Sequence, residues 1–337
     1  MHYLVTGHTG FKGAWLTLML TQRGHQVSGL ALDPEPASLF EVAEVGELLE
    51  HDIRHDIRDA AAVDHALETT RPDVVMHLAA QPLVRESYVS PRWTMETNVM
   101  GTYNVLDAVG RASSVKAQVI VTTDKVYRNV NQVAGYVEDD ALGGHDPYSA
   151  SKAMADLLTQ SWAASFPTCP TAIARAGNVI GGGDVGKDRL LPDLLRSFAR
   201  HQRAEIRYPD AVRPWQHVLD CVHGYTVLAN ALLDGRGAGA WNFGPGPDSF
   251  VTVAAMADLA AQLWGSEAGW TRSPGEHPHE AQLLALDATK ARTHLGWADR
   301  LSFSESVQWT VEWARRTAAG EKARALCIEQ LDAFSDG

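Results

Sequence analysis

Cysteine, basic charge and long apolar runs are all scarce in this 337-residue chain, and each scarcity closes off a class of function. The three cysteines, Cys169, Cys221 and Cys327, are odd in number and lack metal-ligand spacing. A disulfide scaffold is thereby excluded, and ordinary packing thiols in a reducing cytoplasm are expected. The fourteen histidines and three cysteines suggest no metal-ligand set, and no metal is expected. Lysine and arginine number 29 against 41 acidic residues, a net charge of −12 that repels phosphate backbones. Nucleic-acid and anionic-membrane partners are disfavoured, although a few local arginines still suit an anionic small substrate. No apolar run reaches the roughly 18 residues of a membrane span. No basic leader precedes Tyr3-Leu4-Val5, so a soluble, cytoplasmic protein is expected.

What is present is the balance of a globular protein, 45% hydrophobic and 21% charged, long enough for two lobes sharing a cleft. Nearly continuous apolar runs at 2–5, 26–32, 73–79, 117–122 and 171–176 predict strands buried on both faces of a parallel sheet. Helical patterns at 14–22, 60–68, 98–109 and 149–165 alternate with them. The expected fold is α/β, a doubly wound parallel Rossmann sheet with a smaller, irregular C-terminal substrate-binding lobe. Residues 1–177, with a return segment near 216–242, are assigned to the Rossmann domain, and 178–215 with 243–337 to the substrate lobe. In that second part, loop signals such as Gly181-Gly182-Gly183-Asp184 and Gly244-Pro245-Gly246-Pro247 surround a strand at 240–243 and helices at 253–264 and 304–316. Most of the ten tryptophans, Trp264, Trp297 and Trp309 among them, fall in helical patterns and read as core. The doublet His51-Asp52-Ile53-Arg54 and His55-Asp56-Ile57-Arg58 reads as an accidental echo.

Gly7-His8-Thr9-Gly10-Phe11-Lys12-Gly13 follows the first strand and opens the first helix. Glycines there let the backbone turn tightly and bring a helix N-terminus against a pyrophosphate. An acid about 20 residues further on would hold the ribose 2′-hydroxyl of NAD. Asp33 stands near that distance, yet Ala31 stands where the strand should end, so Asp33 either serves the ribose or starts a turn. NAD is the expected cofactor. Asp56 and Ile57 either meet the adenine edge or form a turn.

Tyr148 and Lys152 lie four residues apart in Tyr-Ser-Ala-Ser-Lys, which stacks them on one helical face. An ammonium beside a phenol favours phenolate and makes a base near neutral pH. Alone, this spacing is common by chance and describes two solvated residues. Here it follows a strand ending Val121-Thr122-Thr123-Asp124-Lys125, which points Thr123, Asp124 and Lys125 at the same cleft. Together these features resemble the extended short-chain dehydrogenase/reductases.

Simple epimerases of that family carry small or apolar residues after the strand-end hydroxyl, whereas nucleotide-sugar 4,6-dehydratases carry Asp-Glu. This chain has Asp124-Lys125. With the glycine loop, the runs from His77 to Val84, Gly143 to Tyr148, Ala174 to Asp184, Arg213 to Val218 and Pro278 to Ala281 resemble the CDP-glucose 4,6-dehydratase branch over nearly the whole chain. Val126 departs from it, because the branch more often has cysteine there.

The resemblance implies that Gly7, Gly10, Phe11, Lys12, Gly13, Leu78, Ala79, Ala80, Thr122, Tyr148 and Lys152 meet NAD. It implies that Tyr148 takes the 4-hydroxyl proton of the sugar while Thr123 hydrogen-bonds the same oxygen. Asp124 then protonates the departing 6-hydroxyl, giving a 4-keto-6-deoxy sugar nucleotide with the cofactor recycled. Lys125 either loses its proton to act as the C5 base, stays a cation beside an enolate, or merely pairs with a carboxylate. Gln81 is placed on the substrate side, and Asn178 against the diphosphate. Arg189 and Arg213 offer bidentate guanidinium groups to phosphate or ribose, or form surface ion pairs. His279 and Glu280 either reach the nucleotide or cap a turn. The expected substrate is a nucleotide sugar, CDP-glucose by resemblance; a 4-epimerase, another 4,6-dehydratase and a cofactor-sensing protein are the rivals. A homodimer, possibly paired into a tetramer, is expected through a four-helix bundle. Ala153, Ala155, Leu157 and Leu158 either face that bundle or face the sheet.

Overall fold

The computed structural model describes residues 1–132, 134–187, 189–275 and 284–336. Seven parallel strands make the central sheet: β1 (His2–Thr6), β2 (Gln26–Ala31), β3 (His51–Arg54), β4 (Val74–His77), β5 (Ala117–Val121), β6 (Thr171–Ala176) and β7 (Gly239–Phe243). Their spatial order is 7-6-5-4-1-2-3. In β1, Tyr3 is flanked by Val27 of β2 and Val74 of β4, so the order in which strands are added reverses between β1 and β4 while every strand stays parallel. Ligands bind beyond the carboxyl ends of strands at such a switch point.

Every residue of β4, β5 and β6 is buried, which is why each reads as an apolar run. The first copy of the His-Asp-Ile-Arg doublet is β3, and the second is loop. An edge strand needs no apolar run, and His51 and Asp52 are exposed there. The principal sheet-flanking helices are α1 (Phe11–Gln22), α2 (Ala60–Thr70), α3 (Gly101–Arg111), α4 (Pro147–Ser165) and, later in the chain, α6 (Val218–Leu233). A π-turn at Glu96–Met100 precedes α3, so the helix expected from residue 98 begins irregularly.

A second apolar cluster gathers Ile180, Phe198, Trp215, Met256, Ala260 and Val311. It is built from α5 (Leu190–Ala199), α7 (Val253–Trp264) and α8 (Phe303–Ala318). Ser302 and Glu305 form a reciprocal capping box that starts α8. The last helix, α9 (Ala323–Asp336), sends Leu326, Cys327, Leu331 and Phe334 into the sheet-side core instead. All three cysteines are buried and free. No helix among the described residues is long and apolar enough to cross a membrane.

Candidate active site

The glycine loop is fixed by close backbone approach. Gly7 has φ +75°, and a Cβ there would lie 2.7 Å from the Ala79 amide nitrogen. A Cβ on Gly13 would lie 2.1 Å from the Gly7 carbonyl oxygen. Gly10 precedes α1 with no side chain capping its first turn, leaving those N–H groups for an anion. These features fit a dinucleotide pyrophosphate. Leu78, Ala79 and Ala80 form the adjoining half-buried loop after β4, with the Ala79 amide donating to Thr6. Phe11 approaches Gly181, and Lys12 reaches the Tyr225 hydroxyl at 3.4 Å.

The ribose and adenine side is more mixed. Asp33 is exposed and lies two residues past the end of β2. Asp56 already accepts from the Arg58 amide and guanidinium, at 2.7–2.9 Å, while buried Ile57 packs where Gly101 has no side chain. His8, buried, bonds Asp52 at 2.8 Å, and Arg54 pairs with the other Asp52 oxygen.

Tyr148, Thr123, Asp124, Lys125 and Lys152 converge beyond β5. Thr123 donates to Asp124 Oδ1 at 2.8 Å, and its hydroxyl acts on the Tyr148 phenol to lower its pKa. Lys125 Nζ approaches the same Oδ1 at 3.3 Å. Asp124 is 1% exposed, and its Oδ2 is buried with no partner among the described residues. Only a glycine fits beside it, because a Cβ on Gly177 would lie 2.9 Å from that oxygen. A buried carboxylate oxygen with no hydrogen bond is costly, so this atom is poised to meet a ligand.

The charges depart from the sequence expectation. Burial pulls the Lys125 ammonium down, but Asp124 and then Tyr148 outweigh it, and its pKa lies above the ordinary lysine value. A depressed, neutral Lys125 is therefore not the resting state, and at 35% exposure its side chain keeps water. Burial raises the Tyr148 phenol; Lys125 and the Thr123 hydrogen bond oppose that without reversing it. Lys152 does not contribute the pull that the four-residue spacing suggested. Its ammonium donates to the Val121 carbonyl at 2.8 Å, and burial, with Lys12 adding, lowers its pKa to about 8.

On the substrate side, Gln81 is buried with its carboxamide committed to Thr94 and the Leu83 backbone. It braces its own loop rather than offering a free amide. Asn178 is half-buried at the end of β6 and accepts from the Gln216 amide at 3.1 Å. Arg189 pairs with both oxygens of Asp184 at 2.8–2.9 Å, though its charge is still felt by Tyr148. Arg213 is half-buried, and its charge reaches Lys125. His279 and Glu280 lie outside the described residues.

One cluster went unread in the sequence. Asp156, four residues past Lys152, accepts from Arg175 Nε and Nη2, from Thr122 and from Gln160, at 2.7–3.0 Å. Arg175 also donates to Tyr127, whose hydroxyl donates to Asn242 on β7. A lone arginine inside the run Thr171–Ala176 was the available signal, since a buried charge needs a partner.

A seven-stranded dinucleotide fold with this cluster defines a class: the chain belongs to the NAD-dependent epimerase/dehydratase family, whose model matches residues 3–244. It is 45% identical over 328 residues to the CDP-glucose 4,6-dehydratase of Salmonella typhimurium, covering 94% of this chain and 91% of that protein. Against the dTDP-glucose 4,6-dehydratase of Streptomyces niveus, identity is 30% over 331 residues, with 95% and 94% covered. The crystal structure of dTDP-glucose 4,6-dehydratase from Bacillus anthracis in complex with NAD shares the fold, with TM-score 0.82, 22% identity, and 95% and 98% coverage.

Proposed function

We propose that this chain is an NAD-dependent nucleotide-sugar 4,6-dehydratase that converts CDP-glucose to CDP-4-keto-6-deoxyglucose. The observation that carries this reading is Asp124, buried beside Tyr148 and Thr123 with one bare oxygen, in a chain 45% identical to a CDP-glucose 4,6-dehydratase. Epimerisation at C4 needs no acid at C6; loss of water does.

Gly7, Gly10, Gly13, the first turn of α1 and the 78–80 loop would hold NAD, with Lys152 toward its nicotinamide ribose. NAD, when bound, takes hydride from C4 of the sugar and returns it to C6. Tyr148 Oη receives the 4-hydroxyl proton, and Thr123 holds that oxygen. Lys125 and Asp124 divide the elimination. One proton passing from Lys125 Nζ to Asp124 Oδ1, now 3.3 Å apart, leaves an amine for the C5 proton and an acid for the 6-hydroxyl. Until that transfer, the Lys125 cation stabilises negative charge developing toward the C4 oxygen. Thr123 also links Tyr148, which gains a proton, to Asp124, which loses one to the departing water.

We assign residues 1–177 and 216–242 to cofactor binding, and 178–215 with 243–337 to the substrate side. The second apolar cluster supports a separate lobe, although α9 packs on the sheet side. A second copy of the chain is proposed to cover α3 and α4, where Tyr103, Met154, Leu157 and Phe166 are exposed. Ala153 and Ala155 face inward and take no part. Three free buried thiols suit a reducing cytoplasm.

Incubation with CDP-glucose in D₂O tests the activity. Loss of one water with deuterium at C5 is expected. An unchanged mass overturns the assignment for this substrate, and a 4-epimer would make the chain an epimerase.

A further inference from the structure

Gln216 is 2% exposed, yet neither its carboxamide oxygen nor its nitrogen has a hydrogen-bond partner among the described residues. A buried amide left bare at both ends is costly, and native proteins rarely tolerate one without a ligand, a water or a function to meet it. The side chain lines a small recess shared with Gly177, Asn178, Pro214, Gly244, Pro245 and Leu286. Its place is fixed by backbone: the Gln216 amide donates to Asn178, and Gln216–His217 pairs in parallel with Val179–Ile180. The recess therefore opens at the carboxyl ends of β6 and β7. Gly177 is shared with the catalytic cluster, because its missing Cβ is what admits Asp124 Oδ2.

Three features select the chemistry. A neutral carboxamide presents one acceptor and two donors; hydroxyl groups can meet both ends, whereas a phosphate, which only accepts, would leave the carboxamide oxygen bare. The neighbouring acid serves the sugar 6-hydroxyl, and Tyr148 with Thr123 serves the 4-hydroxyl. The 2- and 3-hydroxyls are vicinal and have no other partner in this scheme. We infer that Gln216 is a specificity-determining residue whose carboxamide binds the 2,3-diol of the hexosyl group. This rests on the dehydratase reading.

The test is a cycle between residue and substrate. Gln216→Met keeps the length and removes the bare polar atoms, so folding should hold; thermal melts check it, and Gln216→Leu is the second variant. With CDP-glucose, KM should rise about 10- to 100-fold while kcat changes little. CDP-2-deoxyglucose or CDP-3-deoxyglucose should cost wild type a similar factor, and wild type and variant should then become equal on that analogue. A variant with unchanged KM that still discriminates against both deoxy sugars overturns the inference and leaves a structural water as the partner. Wild-type protein that does not turn over CDP-glucose overturns both this inference and the dehydratase reading.

Discussion

Two buried aspartates stand beyond and beneath the end of β5, and their surroundings differ sharply. Asp156 has four hydrogen bonds from Arg175, Thr122 and Gln160, and both oxygens are met. Asp124 has Thr123 and a longer contact from Lys125 on one oxygen, and no described residue on the other. The first arrangement is complete without a substrate, and joins α4, β5 and β6 into one rigid support. The second is incomplete. A polar network with every member satisfied specifies structure, whereas one left open stores the capacity to change protonation or bind. The difference separates scaffold from chemistry over a few residues.

The largest effect should come from the phenol that faces the open cluster. Tyr148→Phe should lower turnover by about 10³-fold or more with the fold intact, measured as 4-keto product formed. Full activity would remove Tyr148 from the chemistry. On the closed cluster the loss should be in stability instead. Asp156→Asn strips the Arg175 guanidinium of its counter-charge and should cost about 3–5 kcal/mol in urea unfolding. Asp124→Asn should reverse that pattern: water loss falls about 10²-fold or more. Its stability should stay within about 1 kcal/mol of wild type, since one oxygen was bare already. Reduced-nicotinamide absorbance should still develop in that variant. Equal destabilisation by the two asparagine variants would erase the contrast.

Lys152 sharpens it further, lying one helical turn before Asp156 but paired only with a carbonyl. Its pKa is lowered to about 8, so the buried ammonium costs stability below that pH. That cost disappears as pH rises toward the ordinary lysine value. Lys152→Met should therefore stabilise the cofactor-free protein at pH 7 by up to about 3 kcal/mol, with the gain shrinking above pH 8. A gain independent of pH would mean the effect is packing. The smallest effect per group concerns His77, buried between the Thr6 and Thr102 hydroxyls. Burial and then Lys152 push its pKa to about 3. Unfolded histidine binds a proton near pH 6.5, so this contribution is intact above that pH and falls away below it. At pH 5 the loss is about 2 kcal/mol, and the midpoint of urea unfolding should drop accordingly between pH 7 and 5.

The sequence by itself determined the parallel sheet, because strands buried on both faces must be apolar throughout. It also determined the glycine loop, whose backbone contacts leave no room for side chains, and the Tyr148–Lys152 stride on one helix. Local periodicity carries each of these. Edge strand β3 stayed hidden because half of it faces solvent, and α9 because no motif marks it. Tertiary structure alone decided the electrostatics. Lys125 is held charged because Asp124 and Tyr148 close around it, and Lys152 turns to a carbonyl instead of the phenol. The closed Asp156 network and the bare Gln216 amide also needed the folded chain. Charge and hydrogen-bond balance depend on neighbours from distant strands, and neither spacing nor composition records those neighbours.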